Sequence, residues 1–140
     1  VEIPEASDGV NQDEASDSIH VSVTPPTGTN PGDTVTLTLT SPDGATTDVE
    51  AVVPNNWSTG DSVSVTITPD LISDDNGFID GDYSVSAAIT DQAGNTSLSS
   101  NDAGLTLDTT APDKTTTSII IDDISNDNII NISFICNSKY

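Results

Sequence analysis

An all-β sandwich is the fold this sequence predicts, on three observations. Apolar residues alternate with Thr and Ser through most of the chain, which is the period of a half-buried strand. Clusters of Gly, Pro, Asn and Asp punctuate the alternating runs, and every proline of that region falls between runs, as strand hydrogen bonding requires. Helical periodicity is absent, with Pro69-Asp70-Leu71-Ile72 starting one short turn at most.

Taken in order, Ile19, Val21 and Val23 line one face of the first strand. After Pro25-Pro26 and Asn30-Pro31-Gly32-Asp33 come Val35, Leu37 and Leu39, with Thr34, Thr36, Thr38 and Thr40 on the opposite face. The turn Ser41-Pro42-Asp43-Gly44 leads to Val49, Ala51 and Val53, and Pro54-Asn55-Asn56 leads to Val63, Val65 and Ile67. Tyr83, Val85, Ala87 and Ile89 follow, then Ala93-Gly94-Asn95, and Leu105 and Leu107 close the pattern. About seven such strands with Greek-key connections describe an immunoglobulin-like sandwich. Tyr83, preceded by Gly81-Asp82, suits a tyrosine corner, the alternative being an ordinary strand aromatic. Trp57 is expected to plug the core or one end.

Charge restricts the functions open to this chain. Twenty-three acids face two lysines and no arginine, a formal charge of −21 over 140 residues. Lys114 and Lys139 build no basic groove, so nucleic acid is excluded as a partner, and an anionic membrane surface repels the chain. No run of about 18 apolar residues is present to insert in a bilayer. Cys136, alone, closes no internal disulfide and forms no zinc site, which leaves a metal ion as the plausible staple. The chain starts with neither Met nor a signal peptide, and is expected to be a piece of something longer.

The acids gather beside Gly and Asn, in Asp74-Asp75-Asn76-Gly77 and Asp80-Gly81-Asp82, where hard oxygen ligands suit Ca2+. This run is not an EF-hand: counted from Asp74, the fifth position is Phe78 and the twelfth Val85. Two carboxylates about 5 Å apart repel by roughly 1 kcal/mol in water and roughly 3 kcal/mol at an effective dielectric near 20. Several in one loop therefore favour a bound cation, with Asp74, Asn76, Asp80 and Asp82 as ligands. The alternative is a flexible acidic loop with Asx turns. Asp91 is either a ligand or the start of an Asx turn toward Gly94 and Asn95.

The strand pattern stops at Asp108-Thr109-Thr110-Ala111-Pro112, and the composition then shifts to isoleucine. The expected division is a domain over 1–113 and, over 114–140, a linker with the incomplete start of a second unit. Val1-Glu2-Ile3 with Asp8-Gly9-Val10-Asn11 is echoed by Ile119-Ile120-Ile121 with Asp127-Asn128-Ile129-Ile130-Asn131, at a tandem spacing of roughly 120 residues. The second copy then fails at Ile132-Ser133-Phe134-Ile135, as a degenerate or truncated repeat or as a reading-frame artefact.

These motifs (DGVNQDEA at 8–15, YSVSAAITDQAGN at 83–95 and LDTTAP at 107–112) resemble the bacterial Ig-like repeats of giant adhesins exported by type I secretion and usually carrying RTX repeats. The resemblance covers Val1 to about Asp113. It implies a secreted, cell-surface extender that holds a distal ligand-binding region outward, supporting adhesion or biofilm formation. Its partners would be the neighbouring repeats, with calcium stiffening the junctions. In that arrangement Asp108 of one repeat approaches the opening acids Asp8, Asp13 and Glu14 of the next. Phe134 stands where the second copy needs an acid, so that junction site is expected to be impaired. The alternative is a glycan- or protein-binding module of the same adhesin, against which the scarcity of aromatics (Trp57, Phe78, Tyr83) argues.

Enzymatic activity is not expected. Asp80 and Asp82 lack the sugar platform and second catalytic group of a glycosidase, and His20, on the outer face by alternation, has no nucleophile motif. The threonine row invites comparison with ice-binding arrays, but β-propensity on a solvated face accounts for it.

Overall fold

The computed structural model describes residues 1–112, within which Val1–Thr110 form one compact unit. The isoleucine-rich tail, the echo of the opening motif, Phe134 and Cys136 lie outside the described residues.

The strands form where alternation places them: β1 (Ile19–Val23), β2 (Thr34–Thr40), β3 (Thr46–Val52), β4 (Val63–Ile67), β7 (Gly81–Thr90) and β8 (Ala103–Leu107). Two-residue strands β5 (Ser73–Asp74) and β6 (Gly77–Phe78) pair as a miniature hairpin inside the acidic run. β1 pairs antiparallel with β4, and a four-stranded antiparallel sheet runs in the order β3-β2-β7-β8. This is an all-β fold of several antiparallel sheets, arranged as in a generic β-sandwich.

Both main sheets turn their alternate residues into one core. Ile19, Val21, Val65 and Ile67 from one sheet join Val35, Leu37, Val85, Leu105 and Leu107 from the other, all at 1% exposure or less. Burying each such side chain contributes about 1.5–3 kcal/mol, so a one-residue slip, which would turn the whole set to solvent, is strongly disfavoured. β3 is the exception: Val49 and Ala51 are half-buried and Val52 is exposed. Trp57 is buried in the β3–β4 connection, its indole Nε1–H donating to the Asp61 carbonyl at 2.9 Å. Its position is thus at one end of the core.

One element contradicts the sequence-based expectation. Gln12–Asp17 forms a short helix, α1, begun by a capping box. Asn11 Oδ1 accepts from the amides of Asp13 (2.9 Å) and Glu14 (3.1 Å), while Glu14 Oε2 accepts from the Asn11 amide at 3.0 Å. Reciprocal capping satisfies otherwise orphaned N–H groups, and the buried Ala15 anchors the turn. The Pro69–Leu71 turn occurs as expected, as a 3-10 turn, and another spans Pro4–Ser7.

The chain enters and leaves the unit at opposite ends. At the leading end Glu2 bridges Ser22 through two 2.8 Å backbone hydrogen bonds, near the finish of β1. The chain then runs the length of the domain, and Val10 makes a parallel bridge with Leu107 at the finish of β8. Thr109 and Thr110 lie at this trailing end.

Candidate functional site

Most of the nominated acids collect at the trailing end. The β5–β6 turn is built on Asp74, whose Oδ1 accepts from the Asn76 amide at 2.7 Å and whose Oδ2 lies 3.5 Å from Asn76 Nδ2. With Gln12, Ser73, Gly77, Phe78 and Thr109, these two residues line a hollow of about 490 Å³.

Asp80 sits just before β7, in a corner fixed on both sides. The Ile79 amide donates to the Ile72 carbonyl at 2.9 Å, and the Tyr83 hydroxyl donates to the Ile79 carbonyl at 2.8 Å. Tyr83 is 2% exposed, so this is the geometry of a tyrosine corner rather than of an incidental strand aromatic. Asp80 Oδ1 accepts from the Thr109 amide (2.9 Å) and hydroxyl (2.8 Å), and Oδ2 accepts from the Thr110 hydroxyl (2.7 Å). The Thr110 hydroxyl, then the Thr109 amide and hydroxyl, hold its carboxyl below the usual carboxylate pKa.

Asp82, opposite Thr106 across the β7–β8 pair, accepts from its hydroxyl at 2.7 Å. Asp108 accepts from the Thr110 amide at 3.1 Å. Asp8 is exposed and lies 3.5 Å from the Ser7 hydroxyl. Asp13 and Glu14 occupy the first turn of α1, where negative charge complements the exposed amides.

One placement differs from the expected junction. Asp8, Asp13 and Glu14 open the chain but do not mark the leading end. Because Val10 bridges Leu107, they stand at the same end as this unit's own Asp108, whose amide donates to the Val10 carbonyl at 3.0 Å. Asp91 is at the other end, in a turn: its Oδ1 accepts from the amides of Ala93 (2.9 Å) and Asn95 (2.8 Å), and its Oδ2 from Asn95 Nδ2 (2.9 Å). The Asn95 side chain and then its amide lower the Asp91 pKa.

Sequence reasoning passed over Asp33, a leading-end acid that is 3% exposed. Its Oδ2 accepts from the Asn30 amide at 2.8 Å, and it lines a hollow of about 280 Å³ with Asp91 and Asn95. The available signal was Asn30-Pro31-Gly32-Asp33, a turn whose last carboxylate folds back onto its first amide.

No Lys or Arg occurs in residues 1–112, which hold all of the 23 acids except Asp113, Asp122, Asp123 and Asp127. Among the described residues, Asp33, Asp74, Asp80, Asp82, Asp91 and Asp108 therefore take their partners from amides and hydroxyls. Among the described residues, no three Asp, Glu, His or Cys side chains gather into a metal-holding group. Calcium needs six to eight oxygens. The trailing-end hollow carries the oxygen-bearing side chains of Gln12, Ser73, Asp74, Asn76 and Thr109 in its lining.

The chain matches no family model, no curated protein and no solved structure.

Proposed function

We propose that this chain is an extender repeat of a secreted bacterial surface adhesin, an immunoglobulin-like unit that spaces a distal ligand-binding region from the cell. The observation that carries this is the placement of the two ends of the compact unit. Glu2 is fastened beside Ser22 at one end and Thr109–Thr110 beside Asp80 at the other, so successive copies would join end to end. The immunoglobulin-like assignment is supported by the Tyr83 corner and by a strand order in which β1 pairs with β4 while β2 lies between β3 and β7, a crossing Greek-key pattern.

Calcium enters as the ion that completes the open trailing-end donor set with oxygens of the next repeat, and it offsets mutual repulsion among acids that, among the described residues, have no Lys or Arg beside them. Two joined copies of the 140-residue chain, followed by small-angle scattering, test this. Calcium is expected to increase the maximum dimension and to raise the melting temperature more than sodium at equal ionic strength. Equal responses to the two salts and a compact pair of copies would refute the extender.

A further inference from the structure

We propose that Asp80 is a clamp that fastens the segment after β8 to the domain, holding Thr109 and Thr110 without any bound cation. The carboxylate accepts three hydrogen bonds from these two consecutive residues, at 2.9, 2.8 and 2.7 Å. Hydrogen bonds to an ionised acceptor are roughly twice as strong as neutral ones. A carboxylate offers about four lone-pair positions, so three donors leave little of Asp80 for a metal. Its chemistry here is that of a fastener rather than of a ligand.

The clamp has a rigid mount. Ile79 is held through its amide by Ile72 and through its carbonyl by Tyr83. On the next residue, Gly81, a Cβ would fall 2.7 Å from Pro42 Cγ, so the corner is packed closely against the β2–β3 turn. The gripped strap is also tied along its length. The Thr106 hydroxyl donates to Asp82, the Asp108 amide to the Val10 carbonyl, and the Thr110 amide to Asp108. The compact unit ends at Thr110, which Asp80 holds. None of this depends on the extender role, since the clamp acts within one chain.

Amide hydrogen exchange on the full 15N-labelled chain in EDTA, together with {1H}-15N NOEs at Thr109 and Thr110, tests it. Asp80→Ala is expected to speed exchange of the Thr109 amide by about tenfold or more and to lower both NOEs, while amides at the centre of β7 keep their rates. Asp80→Asn should restore part of the protection, because its amide oxygen still accepts from the Thr109 N–H. Thr110→Val removes one donor and leaves the corner untouched, and it should lower the Thr110 NOE even if Asp80→Ala fails to fold. Unchanged Thr109 exchange in Asp80→Ala together with an unchanged NOE in Thr110→Val would overturn the clamp. So would a Thr109 amide that is unprotected in EDTA and protected only when calcium is added.

Discussion

Replacing Tyr83 with Phe removes one oxygen and leaves the ring in the core. The lost hydrogen bond is the 2.8 Å contact to the Ile79 carbonyl. A net hydrogen bond contributes about 0.5–1.5 kcal/mol, and a stranded buried acceptor costs about 1–3 kcal/mol. Ile79 is 37% exposed, so water reaches its surroundings and the cost falls in the lower part of that span, at about 1–1.5 kcal/mol. For a domain near 110 residues each kcal/mol moves Tm by roughly 4 °C, which gives an expected drop of about 4–6 °C. Urea unfolding should show a lower midpoint with an unchanged slope. There is also an alkaline signature. Burial, then the charges of Asp43 and Asp80, hold the Tyr83 phenol above its usual 10. A pKa raised in the folded state contributes stability that is complete below the unfolded value near 10 and is lost as pH rises through the folded value. Tyr83→Phe removes that residue's share of the alkaline loss. A Tm change under about 1 °C, or identical alkaline limbs in the two proteins, would show that the corner is not a support.

Other perturbations separate the remaining contributions. Gly81→Ala should cost about 2–4 kcal/mol, because φ is +139° and the new Cβ would meet Pro42. Gly77→Ala, at φ +121° with nothing within 4 Å, should cost nearer 1 kcal/mol, and equal losses in urea titrations would discount the Pro42 contact. Asn11→Ala removes the acceptor for two α1 amides and should destabilise by about 0.5–2 kcal/mol; a neutral melting curve would mean that the helix needs no cap. Asp43, Asp80 and Asp91 all have folded-state pKa values below 3.8, Asp43 chiefly through the Ser41 hydroxyl. Their contribution is present above the unfolded value and lost as pH falls through the folded ones. Acid titration of Asp80→Ala should therefore show a shallower decline below pH 4 than the parent, and a parallel decline would place the sensitivity elsewhere.

The strands were legible because burial on one face writes itself into every second residue, from Val35-Leu37-Leu39 to Tyr83-Val85-Ala87-Ile89. The helix α1 was not, since six residues are too few to establish a 3.6 period. Its trace was local: Asn11 followed by Glu14, the two halves of a capping box. The candidate site was legible as composition and obscure as geometry. Asp80 and Asp82 are near neighbours in sequence, yet Gly81 bends the backbone between them and they take separate partners, Thr109–Thr110 and Thr106. The position of Asp8, Asp13 and Glu14 depends on the bridge between Val10 and Leu107, a pairing across almost the whole unit that no local pattern encodes. Asp91 was readable as a turn because Gly94 and Asn95 follow it at Asx-turn spacing.

The exclusion of Lys and Arg from residues 1–112 also bears on how this protein resists digestion. Proteases of the trypsin type select their substrates through an acidic specificity pocket that receives a basic side chain. Between Val1 and Asp113 there is no such side chain to receive, so these enzymes find no scissile bond there even in a fully unfolded chain. The first one they meet follows Lys114, beyond β8.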